Sequence, residues 1–184
     1  MVTKAIDTKV DGKKGQYFSF TLKDGSNHIL ANKYVQITLN KVVYKVKTDK
    51  NGVAKLRVNI KKAGTYTARI KFVGDSKYSA SSSSLKIKVN KQKPKLISSK
   101  KKFKAKAKTK KITAKLKTSR GKALKNKKIV FTIKGKKYIA KTNKKGIATA
   151  KIKLSKKGTY SCKIKYAGDK TYSAITKKIK VLIK

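Results

Sequence analysis

Moved along itself by 94 positions, the chain matches itself without a gap from Phe18 to Asn90, and about a third of the paired residues are identical. Gly52-Val53-Ala54 meets Gly146-Ile147-Ala148, and Gly64-Thr65-Tyr66 meets Gly158-Thr159-Tyr160. Gly74-Asp75 and Tyr78-Ser79-Ala80 meet Gly168-Asp169 and Tyr172-Ser173-Ala174. A duplicated unit of about 90 residues has the size of a domain, not of a solenoid repeat. Whatever fold one copy adopts, the other must adopt too. The joint falls in Lys91-Gln92-Lys93-Pro94, giving domains 1–92 and 93–184. Pro94 restricts itself and its predecessor, which predicts a short, extended connector.

Within each copy the hydrophobic period is two. Tyr66, Ala68, Ile70 and Phe72 alternate with Thr65, Thr67, Arg69 and Lys71, and Tyr160, Cys162, Ile164 and Tyr166 do the same in the second copy. Phe103/Ala105/Ala107, Ile112/Ala114/Leu116, Ile129/Phe131/Ile133, Ala148/Ala150/Ile152/Leu154 and Ile179/Val181/Ile183 continue the pattern. Alternation of this kind builds strands with one apolar and one wet face. Glycine-bearing turns separate the runs, and no helical stripe is present. The expected fold class is all-β, two tandem β-sandwich domains of about seven short strands each.

Composition alone argues the opposite. The 184 residues carry 54 Lys and Arg against 6 Asp and no Glu, a formal charge of +48, with 38% hydrophobic residues. Low hydrophobicity with unbalanced charge is the mark of a disordered chain. Order rescues the fold, because the lysines occupy outward slots where their stems lie over the sheet and the ammonium stays in water. The load is uneven: the first copy has 20 basic and 5 acidic residues, the second 34 and one. A composition drift toward lysine codons would raise glutamate as well, so the cationic surplus points to a purpose.

The same inventory thins the list of chemistries. A single Cys162 and a single His28 give no disulfide, no multi-histidine metal site and no choice of triad partner. Six scattered aspartates are a poor basis for calcium, which takes about 6–8 oxygens. No cofactor, metal or catalytic residue is expected, and the expectation is a non-enzyme. No run reaches the ~18 apolar residues of a membrane span, so membrane insertion is not expected either.

Leu22-Lys23-Asp24, Leu30-Ala31-Asn32-Lys33, Lys47-Thr48-Asp49-Lys50-Asn51-Gly52 and Ala63-Gly64-Thr65-Tyr66 return as Leu124-Lys125-Asn126-Lys127, Lys141-Thr142-Asn143-Lys144-Lys145-Gly146 and Lys157-Gly158-Thr159-Tyr160. With Phe72-Val73-Gly74-Asp75-Ser76-Lys77-Tyr78 and Tyr166 through Tyr172, this pattern resembles the immunoglobulin-like repeats of extracellular adhesin-like proteins, of the methanogenic archaeal type and similar to bacterial Ig-like domains. The resemblance implies an exported, cell-surface protein of which this chain is a fragment, with no catalytic residues to carry over. The ending just after the last apolar run suggests that charge itself supplies the anchor.

Residue by residue, the structural readings come first. Tyr66 and Tyr160 suit a tyrosine corner, whose hydroxyl pins a nearby backbone carbonyl. Gly74-Asp75-x-x-Tyr78 and Gly168-Asp169-x-x-Tyr172 read as tight turns in which the aspartate accepts from amides ahead of it and the tyrosine closes the sandwich end. Cys162 is expected as a small buried apolar side chain. A Lys–Asn isopeptide cross-link needs a buried carboxyl group to shuttle protons, which disfavours it in the second copy. The first copy is left open.

The lysines carry the one competing functional reading. Lys128, Lys134, Lys163, Lys165, Lys178 and Lys180 are expected on one outward face of the second copy, and Lys102, Lys104, Lys106, Lys108, Lys115, Lys117, Lys151 and Lys153 on the other. Such faces would hold an anionic cell-wall or surface polymer through counterion release. The alternatives are a pure spacer whose lysines serve solubility, and sequence-independent nucleic-acid binding. Near-absence of arginine and inward-facing aromatics argue against specific nucleic-acid readout. The chain is expected to be a monomer, with other cell surfaces reached through upstream domains.

Overall fold

The computed structural model describes residues 16–184, and every described element is a strand. The chain divides into two compact units, one ending at Lys91 and one running Gln92–Lys184. The division falls one residue ahead of the expected 92/93 boundary. Gln92 donates its amide to Thr171 O and accepts from Ser173 N, so its backbone is already committed to the second unit.

The first unit comprises β1 (Gln16–Thr21), β2 (Tyr34–Leu39), β3 (Val42–Lys47), β4 (Val53–Val58), β5 (Gly64–Phe72) and β6 (Ser81–Val89). Four strands form a sheet in the order β3-β2-β5-β6, and β1 pairs β4 in a second one. Phe18 and Phe20 from one sheet and Ile37, Ile70 and Ile87 from the other are fully buried in a shared core. Burying each such side chain contributes about 1.5–3 kcal/mol.

The second unit comprises β7 (Lys95–Ile97), β8 (Lys101–Phe103), β9 (Lys110–Lys117), β10 (Lys128–Ile133), β11 (Lys136–Lys141), β12 (Ile147–Ile152), β13 (Gly158–Tyr166) and β14 (Ile175–Ile183). One sheet runs β11-β10-β13-β14-β8 and the other β12-β9-β7. The chain thus crosses between sheets from β9 to β10, returns at β12 and crosses again to β13, as in an immunoglobulin-like sandwich. Inward residues obey the period of two: Ile129, Phe131 and Ile133 of β10 meet Ile112, Ala114 and Leu116 of β9 in one core.

The entry to this unit departs from the alternating run expected at Phe103, Ala105 and Ala107. β7 pairs antiparallel with β9, whereas β8 pairs parallel with β14 in the other sheet. After a last bond from Ala105 N to Lys184 O the chain leaves the sheet in a turn, although Ala107 continues the alternation. Lys110 then points inward, 6% exposed, and its Nζ donates to Ala105 O at 3.0 Å and Ala107 O at 2.7 Å. The buried ammonium is satisfied by the carbonyls of the loop it ties down.

Candidate functional site

The larger sheet of the second unit collects five of the six lysines expected on its outward face. Lys163 stands opposite Lys178, Lys165 opposite Thr176, and Ser161 opposite Lys180 along β13 and β14. On the other side of β13, Lys163 and Lys165 stand opposite Thr132 and Val130 of β10, whose outward row begins with Lys128. The same face carries Lys137 and Lys141 on β11 and Lys102 on β8, which the sequence reading had not placed there. Lys102 crosses faces because β8 joins this sheet rather than following β7.

Lys134 does not belong to the row. It forms a two-residue hairpin turn with Gly135, at φ 47° and 74°, and its ammonium lies 5.6 Å from the centre of the Tyr160 ring. On the smaller sheet, Lys115, Lys117 and Lys151 do share an outward face, joined by Lys111 and Lys95. Lys153 lies one residue beyond β12, Lys104 lies one residue beyond β8, where Phe103 O and Ala105 N both still bond Lys184, and Lys106 and Lys108 sit in the following loop, off either sheet. The extended backbone assumed for that segment is interrupted, so alternation there no longer maps onto two faces.

These faces hold like charges in direct opposition: Lys163 with Lys178, Lys128 with Lys141, Lys111 with Lys151, and Lys95 with Lys117. Directly opposed like charges destabilise a sheet. Among the described residues of the first unit, no directly opposed strand positions carry two cations; the counterpart of Lys163/Lys178 is Arg69 opposite Ser84. Lys178→Ser is therefore expected to stabilise the second unit by about 0.2–1 kcal/mol at low ionic strength. The gain should vanish in high salt. Denaturant titration at two salt concentrations measures it, and equal stability of both proteins at low salt would contradict the assigned register.

Most of the charge difference between the units is the 34 basic residues against 20, and the acids show how the rest arises without loss of structure. In the first, Asp49 Oδ1 accepts from Asn51 N at 2.9 Å and Val53 N at 3.0 Å, and in the second Asn143 Oδ1 accepts from Lys145 N and Ile147 N at the same distances. Asp24 likewise gives way to Thr118, whose Oγ1 accepts from Lys122 N at 3.1 Å. Each replacement keeps an acceptor for turn amides and removes a negative charge. The second unit is thus stripped of acid without losing its turns.

Asp169, its remaining acid, is held from four sides. Oδ1 accepts from Thr171 N at 2.7 Å and Tyr172 N at 2.8 Å, and Oδ2 accepts from Lys127 Nζ at 2.5 Å and the Tyr166 hydroxyl at 2.8 Å. Partial desolvation works to raise its pKa, but the Lys127 bond and these other donors together hold the carboxyl well below the usual range. Burial, and then the bond to Asp169, push the Tyr166 phenol up. Asp75 keeps the Lys33 Nζ contact, at 2.6 Å, and the two amides, with Phe72 where the second unit has Tyr166. Tyr78 and Tyr172 pack partly buried against their cores, each with its lysine, Lys33 or Lys127, over the ring.

The other structural positions are equally local. Tyr66 donates to Lys62 O at 2.9 Å and Tyr160 to Lys156 O at 2.8 Å, the corner geometry expected of them. Cys162 is fully buried, and burial pushes its thiol up to about 11, so it is not a nucleophile at neutral pH. Sequence reading passed over Thr48 and Thr142. Thr142 is 1% exposed; its hydroxyl donates to Leu124 O and accepts from Lys127 N, and Thr48 bridges Leu30 O and Lys33 N in the same way. The repeated Lys-Thr pair was the available signal. Thr142→Val leaves both backbone groups unpaired and is expected to cost about 1–3 kcal/mol, read by thermal unfolding. A loss within error would show that the bridge is dispensable.

Val130 and Ile139, opposite each other on β10 and β11, interrupt the lysine rows with an aliphatic patch, and Ile139 is 60% exposed. Together with Thr132, Lys137, Lys163 and Lys165 they line an open groove of about 810 Å³, whose lining also includes Asp169. Among the described residues no group of three His, Cys, Asp or Glu side chains converges as a metal site would require.

No protein-family model matches the chain, and no curated protein matches its sequence. Among solved structures, that of invasin, described as a bacterial integrin-binding protein, aligns with 97% of this chain at 20% identity and a TM-score of 0.60. The fold is that of tandem Ig-like domains. This chain spans only 39% of the invasin chain. Fibronectin(III)-like modules of Clostridium thermocellum CbhA align over 100% of this chain and 94% of theirs, at 19% identity and a TM-score of 0.38. The D0-D1 domain of intimin aligns over 98% of each chain at 16% identity and a TM-score of 0.36.

Proposed function

We propose that this chain is a non-catalytic, adhesin-like module of an exported surface protein, and that its second unit attaches electrostatically to an anionic polymer of a cell envelope. The carrying observation is the outward face of the larger sheet, where Lys128, Lys163, Lys165, Lys178 and Lys180 share a surface with one acid in the whole unit. Opposed lysines are a standing cost to the fold, which a bound polyanion relieves. Invasin, whose fold this chain shares, supports display on a cell surface, and the archaeal adhesin-like resemblance stands with it as part of this reading. The first unit, with far less charge, serves as stalk. The chain works as a monomer and takes no cofactor.

The test passes the full chain over immobilised polygalacturonate, polyphosphate and neutral dextran at low salt. Both acidic polymers retain it, dextran does not, and replacing the five lysines by glutamine makes it elute at markedly lower salt than replacing five lysines elsewhere on the chain. Equal passage over all three would leave the spacer reading, in which the lysines only solubilise. Duplex DNA held far more tightly than either acidic polymer would favour a nucleic-acid role instead.

A further inference from the structure

We infer that the groove on the second unit's larger sheet selects an acidic polysaccharide, a chain of carboxylate-bearing sugar rings, over bare polyanions of equal charge. The inference rests on the attachment reading above and names the chemistry of its ligand. A surface built for charge alone has no use for an exposed isoleucine, and Ile139 stands 60% exposed between lysines. Val130 lies directly across from it on β10, and Lys165 stands across from Val130 on β13. Along the strands, Lys128 and Lys141 close one side of this aliphatic pair, and Lys137 and Lys163, flanking Thr132, close the other. Neighbouring positions on one sheet face are about 5–7 Å apart, so the cations form a close frame around an apolar floor.

That pairing of surfaces suits one ligand chemistry. A sugar ring offers C–H patches to the aliphatic floor, hydroxyls to Thr132 and carboxylates to the lysine frame. The groove, about 810 Å³, is of the size that holds extended small ligands, ~300–1,000 Å³. Asp169 also lines it, but its charge is met by Lys127. Nucleic acid fits less well: no arginine lines the groove, and its aromatic, Tyr166, is 3% exposed and offers no stacking platform.

The first unit supplies the internal comparison. Its residues at the two floor positions are Gln36 and Lys45, again directly opposite each other, so these side chains are compatible with the fold. Their presence removes the floor while raising the charge.

The double variant Val130→Gln, Ile139→Lys in the full chain therefore separates the floor from the charge. Its affinity for polygalacturonate is expected to fall about tenfold from lost apolar burial. Its affinity for polyphosphate, which has no C–H surface, should hold or rise. The converse variant, Gln36→Val with Lys45→Ile, is made together with Tyr34→Lys and Val43→Lys, which complete the frame in the first unit; it should gain more on polygalacturonate than on polyphosphate, and it reports even if the first variant folds poorly. Equal changes on both polymers would overturn the inference while leaving electrostatic attachment intact. So would floor-sensitive binding of duplex DNA or of polyglutamate equal to that of polygalacturonate. Failure of wild-type protein to bind either polymer above dextran would remove the attachment reading and this inference with it.

Discussion

Binding of the full chain to polygalacturonate is expected to weaken about a thousandfold between roughly 50 and 200 mM salt, since each cation that displaces a condensed counterion contributes a slope of about 0.7–0.9 in log K against log salt. Eight lysines share the outer face of the larger sheet: Lys102, Lys128, Lys137, Lys141, Lys163, Lys165, Lys178 and Lys180. A polymer chain lying across them engages most of these at once. Removing Lys163 and Lys178, which face each other at the centre, should lower the slope by about two contacts' worth. Lys134, perched in its hairpin turn, should leave the slope unchanged when replaced by glutamine. A slope near zero, or one indifferent to which lysines are removed, would mean that the face is not where the polymer sits.

The second large effect is on the fold. Gly168 has φ +84°, and a Cβ there would lie 2.8 Å from both Tyr172 O and Ala174 N. Those are backbone atoms of the turn that Asp169 organises, so they have nowhere to move without breaking its bonds. Gly168→Ala is expected to destabilise the second unit by roughly 3 kcal/mol or more, combining left-handed strain with overpacking. Against a typical stability of about 5–15 kcal/mol this is a large fraction. Hydrogen exchange on β13 and β14 in the full chain reads it directly, while protection on β5 and β6 should stay as it was. Unchanged protection on β13 would show that the turn tolerates a side chain.

The glycine and tyrosine positions were legible because each recurs in both copies with its local partner a few residues away. Tyr160 needs only Lys156, and Asp169 takes the amides of Thr171 and Tyr172 from its own turn, although its Lys127 partner, 42 residues away, lay beyond any local pattern. The cationic rows were legible wherever a strand was real: alternation puts Lys163 and Lys165 on one side whatever their neighbours do. It failed at Lys106 and Lys108 because alternation records side-chain chemistry and not whether the backbone remains extended. It failed at Lys134 because a hairpin turn consumed the residue that the pattern would have set on the sheet. Lys102 went to the wrong face because the break between β7 and β8 transfers the chain to the opposite sheet. The groove was out of reach for another reason: Val130 and Ile139 meet only through the register of β10 with β11.

Asn143 and Thr118 do the work of Asp49 and Asp24 without their charge. In this fold the loops hold their shape through acceptor atoms, and the sign on those atoms is free to change. A lineage of such repeats can therefore slide from nearly neutral to densely basic by single exchanges at loop tips and outward strand slots, with the interior untouched. Tandem copies then become a graded series of surface charge, set module by module on one unchanged interior.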